Sequence, residues 1–228
     1  MFSDNLYHKT VNCPVCHTTF KTTQPKANRA RVVSRDPDFC QHFTDDVNPY
    51  YYAIICCPTC GHTSTEKEFN TLTNAQTKAV VDNISWRWGG LDYTQEKTAT
   101  DSINLFKLAY NEGLVTKKSD LYLGLLVLKM CWIFRQLEDV ENELKYLMFV
   151  ITHLEKAYAK DTFEGDFSLT KCTYIIAETH RRLGNTEKAL EWYERGFDHS
   201  KHNDTIMTKT ILERRRELIS LKVVNTPA

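Results

Sequence analysis

The chain has no excess of either charge: 29 basic and 29 acidic residues cancel. There is therefore no overall field to draw in nucleic acid or an anionic membrane, and either partner would have to meet a local patch. A long apolar run is also missing. The most apolar stretch, Leu121 to Phe134, is interrupted by Lys129 and is shorter than the roughly 20 residues needed to cross a bilayer. The segment Met1 to Thr10 is polar and lacks the apolar core of a signal peptide, so a soluble, cytoplasmic protein is expected. No Walker loop, dinucleotide glycine fingerprint, His-Glu-x-x-His or nucleophile elbow occurs. That absence points away from an enzyme and toward a non-catalytic protein. With 228 residues and 42% apolar content, the chain can still bury a core and hold one or two domains.

Cysteine is unevenly spread, with six of eight residues before position 61. Four of them form two short pairs, Cys13-Pro14-Val15-Cys16 and Cys57-Pro58-Thr59-Cys60-Gly61. A Cys-x-x-Cys turn aims two thiolates at one point, and two such turns supply the four soft ligands of a tetrahedral Zn²⁺. Proline stiffens each knuckle, and Gly61 permits the turn that brings backbone N–H groups toward the sulfurs. Four protein ligands leave no open coordination position, so one structural zinc in a ribbon is predicted rather than metal catalysis.

Cys56 adjoins Cys57, but successive strand side chains point to opposite faces. Either could be the ligand, and Cys57 alone completes the Cys-Pro-x-Cys turn. Cys40 and His42 read as a core cysteine and a surface histidine, with a metal-assisting or redox role as the alternative. Cys131 and Cys172 stand alone in apolar helical settings, which fits a reducing compartment better than a disulfide framework. A thioredoxin-like reading would need a helix after one Cys-x-x-Cys, and neither knuckle is followed by a helical pattern.

The pattern of the first 69 residues is strand-like, notably Arg29 to Arg35 and Tyr50 to Cys56, with turn residues between. A helix is predicted over Asn74 to Ile84, then a turn at Gly89-Gly90, and helical periodicity from Thr98 onward. Trp86 and Trp88 are read as packing residues rather than a binding platform. The segments are thus a zinc-ribbon-like module at 1–69, a connector at 70–97, helical repeats at 98–222 and a flexible tail at 223–228. The fold class is α+β, mainly α.

The helical half contains an internal repeat. Cys131 to Asp139 aligns with Ala177 to Asn185 at an offset of 46 residues, and Leu147 and Val150 then match Tyr193 and Gly196. Ser102, Phe106 and Ala109 read as an earlier copy of the second helix. The small residues, the turn glycine and Ala189, Tyr193 and Gly196 resemble the tetratricopeptide repeat, whose usual period is about 34 residues. An insertion between Lys156 and Phe167 accounts for the excess. Val140, Leu144, Leu147, Ile151 and Leu154 form a stripe at helical spacing, assigned to core contact.

Two functional readings follow. In the first, the repeats build a groove for a protein or peptide, lined by Lys171, Tyr174, Glu178 and Arg181. In the second, Lys21, Lys26, Arg29, Arg31 and Arg35 use the ribbon surface to bind nucleic acid. Asp36, Asp38, Asp45 and Asp46 follow at once and cancel much of that charge, which favours the adaptor.

The order Cys-Pro-x-Cys, Asp38-x-Cys40, Asn48-Pro49-x-x-Tyr52, Cys57-Pro58-x-Cys60-Gly61 and Arg181-Arg182-Leu183-Gly184 resembles an uncharacterised bacterial family, the domain of unknown function DUF 2225. The resemblance spans nearly the whole chain. It implies a bacterial source, zinc ligation at Cys13, Cys16, Cys57 and Cys60, and a helical-repeat tail, and it implies no reaction. His17 and His62 stand where glycine and an aromatic residue would be expected, so the surroundings of the metal differ from the family pattern.

Overall fold

The computed structural model describes residues 4–44, 47–160, 163 and 167–224. Asp45 and Asp46, part of the predicted insertion between Lys156 and Phe167, and the end of the expected tail from 225 lie outside them. The architecture is α+β and mainly α, as predicted, with short antiparallel ribbons followed by helices. The chain divides into two units. One comprises residues 1–35 and 40–118, and the other comprises Asp36–Phe39 with residues 119–228. The division differs from the segments expected from sequence, because residues 70–97 and the helix after Thr98 belong with the ribbons.

Unit 1 is built on three two-stranded antiparallel ribbons: β1 (Leu6–Asn12) with β2 (Thr19–Pro25), β3 (Val32–Arg35) with β4 (Gln41–Phe43), and β5 (Ile54–Cys56) with β6 (Thr63–Thr65). Only the last part of the strand-like stretch Tyr50 to Cys56 is a strand. Pro49–Tyr52 makes a single 3₁₀ turn, because Asn48 accepts a hydrogen bond from the Tyr50 N–H at 3.0 Å and Pro49 sits at the first position, where its fixed φ suits a helical start. Helix α1 (Asn74–Asn83) begins at a Thr73/Gln76 capping box and α2 (Ala99–Val115) at a Thr98/Asp101 box. Each box satisfies two orphan N–H groups reciprocally. Helix α2 packs on β5, β6 and the 3₁₀ turn. Trp86 is 67% exposed, contrary to the packing role expected for it. Trp88 does pack, donating to the Pro58 carbonyl at 2.9 Å.

Unit 2 contains α3 (Asp120–Gln136), α4 (Val140–Lys160), α5 (Leu169–Arg182), α6 (Thr186–Ser200) and α7 (Thr205–Val224), each packed on the next. Gly124 lies so close to α4 that a Cβ there would sit 2.7 Å from Leu154 Cδ2. The buried face of α4 is Glu143, Leu147, Val150, Ile151, His153, Leu154 and Ala157. Of the predicted stripe, Leu147, Ile151 and Leu154 are buried and Leu144 is half-buried, whereas Val140, the first residue of the helix, is 54% exposed.

The sequence repeat is also a hydrogen-bond repeat. Across the α3–α4 turn, Leu137 N–H donates to Ile133 O, Glu138 to Arg135 O, Asp139 to Phe134 O, Val140 to Glu138 O and Glu143 to Asp139 O. Across the α5–α6 turn the same five bonds recur 46 positions on, from Leu183 to Thr179 O through Ala189 to Asn185 O. The left-handed residue of the turn is Glu138 (φ 58°) in the first copy and Gly184 (φ 78°) in the second. A left-handed residue with a Cβ costs about 1–2 kcal/mol, partly offset by the entropy that glycine adds to the unfolded chain. Glu138→Gly should therefore stabilise the protein by about 1 kcal/mol, and Gly184→Ala should destabilise it by about as much, because open space surrounds Gly184 and only the backbone resists. Urea denaturation followed by helical circular dichroism reads both changes.

Candidate metal centre

The two Cys-Pro-x-Cys knuckles are the turns of the β1–β2 and β5–β6 ribbons, and they are built alike. Cys13 N–H donates to Thr18 O at 3.0 Å and His17 N–H to Cys13 O at 3.0 Å. In the second knuckle Cys57 N–H donates to His62 O at 2.8 Å and Gly61 N–H to Cys57 O at 2.9 Å. Each knuckle needs a left-handed residue right after its second cysteine, and these are His17 (φ 61°) and Gly61 (φ 75°). Gly61 meets a second constraint. A Cβ there would lie 2.6 Å from the Trp88 ring, so the indole closes over this knuckle only because the side chain is a hydrogen.

This geometry brings Cys13, Cys16, Cys57 and Cys60 together, with all four sulfurs within 4.8 Å of one another. The cross-knuckle separations are 3.5 Å for Cys13 to Cys60 and 3.6 Å for Cys16 to Cys57. Sulfurs at the vertices of a tetrahedron with metal–sulfur bonds of about 2.3 Å stand about 3.8 Å apart, so the arrangement is compatible with one metal ion. Cys13, Cys57 and Cys60 are buried among Val11, Phe20, Ile55 and Phe69, with Val15 and Cys16 packed alongside. The sulfurs also shift one another's protonation. Hydrogen bonds from Cys13 and then Cys60 pull the Cys57 thiol well below its usual range, while the hydrogen bond to Cys57 pushes Cys13 up to about 12.

The cysteines beyond the four lie apart from that group or packed elsewhere. Cys56 lies outside the four-sulfur group, and its Sγ faces the Cys57 carbonyl at 3.8 Å. Burial pushes its thiol up to about 12. Cys40 and Cys172 are buried, as is Cys131, and His42 is half-buried.

His62 serves the centre indirectly. It is fully buried, with Nδ1 2.8 Å from Glu112 Oε1 and Nε2 2.9 Å from the Phe69 carbonyl, and its ring lies on Phe69 at 4.3 Å between centroids. Glu112 also accepts from the Thr63 N–H at 2.7 Å. One carboxylate from α2 thus grips both residues that follow the second knuckle. Nothing local in the sequence marks Glu112, because its partners lie 49 and 50 positions away.

The residues expected to line a peptide groove are divided. Lys171 and Arg181 are half-buried, whereas Tyr174 and Glu178 are each 1% exposed. Glu178 is committed to Arg181 at 2.7 Å, Arg214 at 3.1 Å and the Tyr193 hydroxyl, so it neutralises its neighbours instead of presenting a charge. Tyr174 donates to the Pro37 carbonyl at 2.9 Å. On the ribbons, Lys21, Lys26, Arg29, Arg31 and Arg35 are all exposed.

Residues 6–221 match a family model described as an uncharacterized protein conserved in bacteria, DUF2225. The chain belongs to the DUF2225 family. No curated protein and no solved structure matches it. In this DUF2225 protein the four cysteines form a cluster whose geometry is compatible with metal binding. Among its described residues no helix is long and apolar enough to cross a membrane.

Two predictions follow from this geometry. Cys57→Ala should abolish metal binding while Cys56→Ala retains it, as read by elemental analysis of the purified proteins. The opposite result would mean that a Cys-x-x-x-Cys spacing operates. Removing a carboxylate so that buried donors are left without a partner costs about 1–3 kcal/mol for each group. Glu112→Ala should therefore destabilise unit 1 by a few kcal/mol while leaving the metal stoichiometry unchanged in protein that remains folded.

Proposed function

We propose that this protein is a non-catalytic adaptor in which one structural Zn²⁺, held by Cys13, Cys16, Cys57 and Cys60, fixes the ribbons, and tetratricopeptide-like helical repeats bind a protein or peptide. The zinc reading is supported by an all-thiol donor set, which suits a soft-tolerant, tetrahedral ion, and by four protein ligands that leave no position for water or substrate. The single observation that carries the adaptor reading is the recurrence of the same five turn hydrogen bonds 46 residues apart. Equivalent helix pairs stacked in one direction are how repeat proteins generate an extended surface for other chains. Gly196, where a Cβ would sit 3.0 Å from Thr173 and 3.1 Å from Ile211, supports the close approach that such pairs use.

The second reading, nucleic-acid binding, is favoured by one specific observation: the five basic residues from Lys21 to Arg35 are exposed together. Capture experiments in a bacterial lysate separate the two. Zinc should be found at about one per chain by elemental analysis. Wild-type protein and the Arg29→Ala/Arg31→Ala variant should both recover the same protein in stoichiometric amount, and Lys171→Glu/Arg181→Glu should lose it. Recovery of nucleic acid alone, falling steeply with salt as counterion release requires and lost in the Arg29/Arg31 variant, would establish the second reading instead.

A further inference from the structure

Unit 2 holds a four-residue segment that belongs to none of its helices. Asp36–Phe39, the tip of the β3–β4 ribbon, groups with α3–α7, and every residue of it is gripped. Asp38 is 6% exposed and receives a two-pronged pair of hydrogen bonds from Arg135, Nη1 to Oδ1 at 2.9 Å and Nη2 to Oδ2 at 2.8 Å. The Trp132 indole N–H adds a third at 3.0 Å. Asp36 takes a further bond from Arg135 Nη1 at 2.8 Å. The Pro37 carbonyl accepts from Tyr174, and the Phe39 ring lies on the Tyr174 ring with centroids 5.4 Å apart. Arg135 is itself aimed by Glu143, which Arg182 holds in turn. Burial alone would lower the Arg135 pKa, but the hydrogen bonds and charges of Asp38, then Asp36 and Glu143, outweigh it and hold the guanidinium above its usual value.

This is the chemistry by which proteins read acidic peptides. A planar guanidinium matches a carboxylate in fork-to-fork geometry, an indole N–H fixes its orientation, and a tyrosine ring supplies an aromatic platform. The segment is also under strain, since Phe39 is held at φ 69°, a region that bulky residues seldom enter. A residue held in an unfavourable conformation by the contacts around it marks a functional constraint more often than a passive loop does. The repeat offset strengthens the case. Arg135 corresponds to Arg181 46 positions on, so two successive turns present an arginine at the same place, the first filled by Asp38 and the second half-exposed beside Glu178.

We propose that Trp132, Arg135 and Tyr174 form a receptor for an acidic segment of the pattern Asp-x-Asp-aromatic on a partner protein, and that Asp36–Phe39 occupies it as a competitor in the same chain. The inference rests on the adaptor reading and names the chemistry of its ligand. A competitor tethered in this way acts at an effective concentration in the millimolar range, so the intact protein should bind such a partner weakly until the tip is withdrawn.

The test uses full-length protein and a labelled synthetic peptide spanning residues 33–42, with serine in place of Cys40, followed by fluorescence anisotropy. Wild type should bind it at least tenfold more weakly than the Asp36→Asn/Asp38→Asn variant, which releases the tip. Adding Arg135→Gln to that variant should abolish binding, and a peptide with asparagine at both acidic positions should not bind at all. A second variant, Phe39→Gly, keeps both ion pairs, loses the ring contact and relieves the left-handed strain. It should bind with intermediate affinity. If neither variant binds the peptide while its helical circular dichroism matches wild type, or if both variants unfold, the segment is a fixed part of the core and the proposal is overturned. Equal binding of the acidic and neutral peptides overturns it too. A partner captured from lysate equally by wild type and the Asp36/Asp38 variant, without peptide binding, would end this inference and leave the adaptor reading standing. Peptide binding without any captured partner would do the reverse.

Discussion

Three two-stranded ribbons cannot hold one another in place by strand pairing, and this constraint governs unit 1. Isolated hairpins are at best marginally stable in water, and β3 has all four of its residues exposed. What binds β1–β2 to β5–β6 is the convergence of their turns, which places four sulfurs within 4.8 Å at the centre of a small apolar cluster. The zinc proposed for this site would add to that cluster, since a structural zinc contributes roughly 10–16 kcal/mol to small modules at neutral pH. Helix α2 adds a buried apolar face of Ile103, Leu105, Phe106 and Ala109, and polar contacts beside it. Glu112 fixes the residues after the second knuckle, and the Ser102 hydroxyl donates to the Tyr50 carbonyl at 3.3 Å.

In unit 2 the helices bury long side chains such as Leu128, Ile133, Leu147, Leu154 and Ile175 nearly completely. Its buried charges nevertheless form linked groups, Arg135 with Asp36, Asp38 and Glu143, and Glu178 with Arg181 and Arg214. A buried ion network is seldom the cheapest way to gain stability, because desolvation consumes most of the attraction, and its better-attested use is in fixing register. Here the register fixed is that of an acidic tip against α3 and α5.

What could be read in the sequence was what depends on near neighbours. The knuckles, the helix over Asn74–Asn83 and the start of α2 at Thr98 all rest on patterns a few residues long. The four-cysteine set could be paired because each half carries its own turn signature. Asp38 and Arg135 lie 97 positions apart, and neither has a local pattern that calls for the other. Tyr174 shows the limit most clearly. Its position on α5 was legible from periodicity, and a peptide contact was expected of it, but periodicity does not say which segment covers a face. The covering segment is the chain's own Pro37 and Phe39. Val140 and Trp86, both apolar and exposed, show a related limit, since hydrophobicity alone does not say whether another segment covers a residue.

The two units share a design that the left-handed residues make visible. Each contains a duplicated turn, the knuckle in unit 1 and the helix-to-helix turn in unit 2. In each pair one copy uses glycine and the other does not, Gly61 against His17 and Gly184 against Glu138. Gly61 is obligatory twice over, because its φ is positive and the Trp88 ring fills the space a Cβ would need. Gly184 is held only by its φ, since nothing lies within 4 Å. His17 and Glu138 show that the surrounding hydrogen bonds can hold a side-chain-bearing residue in the same conformation. Phe39 belongs with them in φ but has no glycine counterpart, and its strain is balanced by contacts with α5 rather than by a repeated turn. The distinction separates two kinds of strain in this chain: strain within a duplicated turn is the cost of making the turn, whereas strain in a segment held by helices of its own unit must be explained by what holds it.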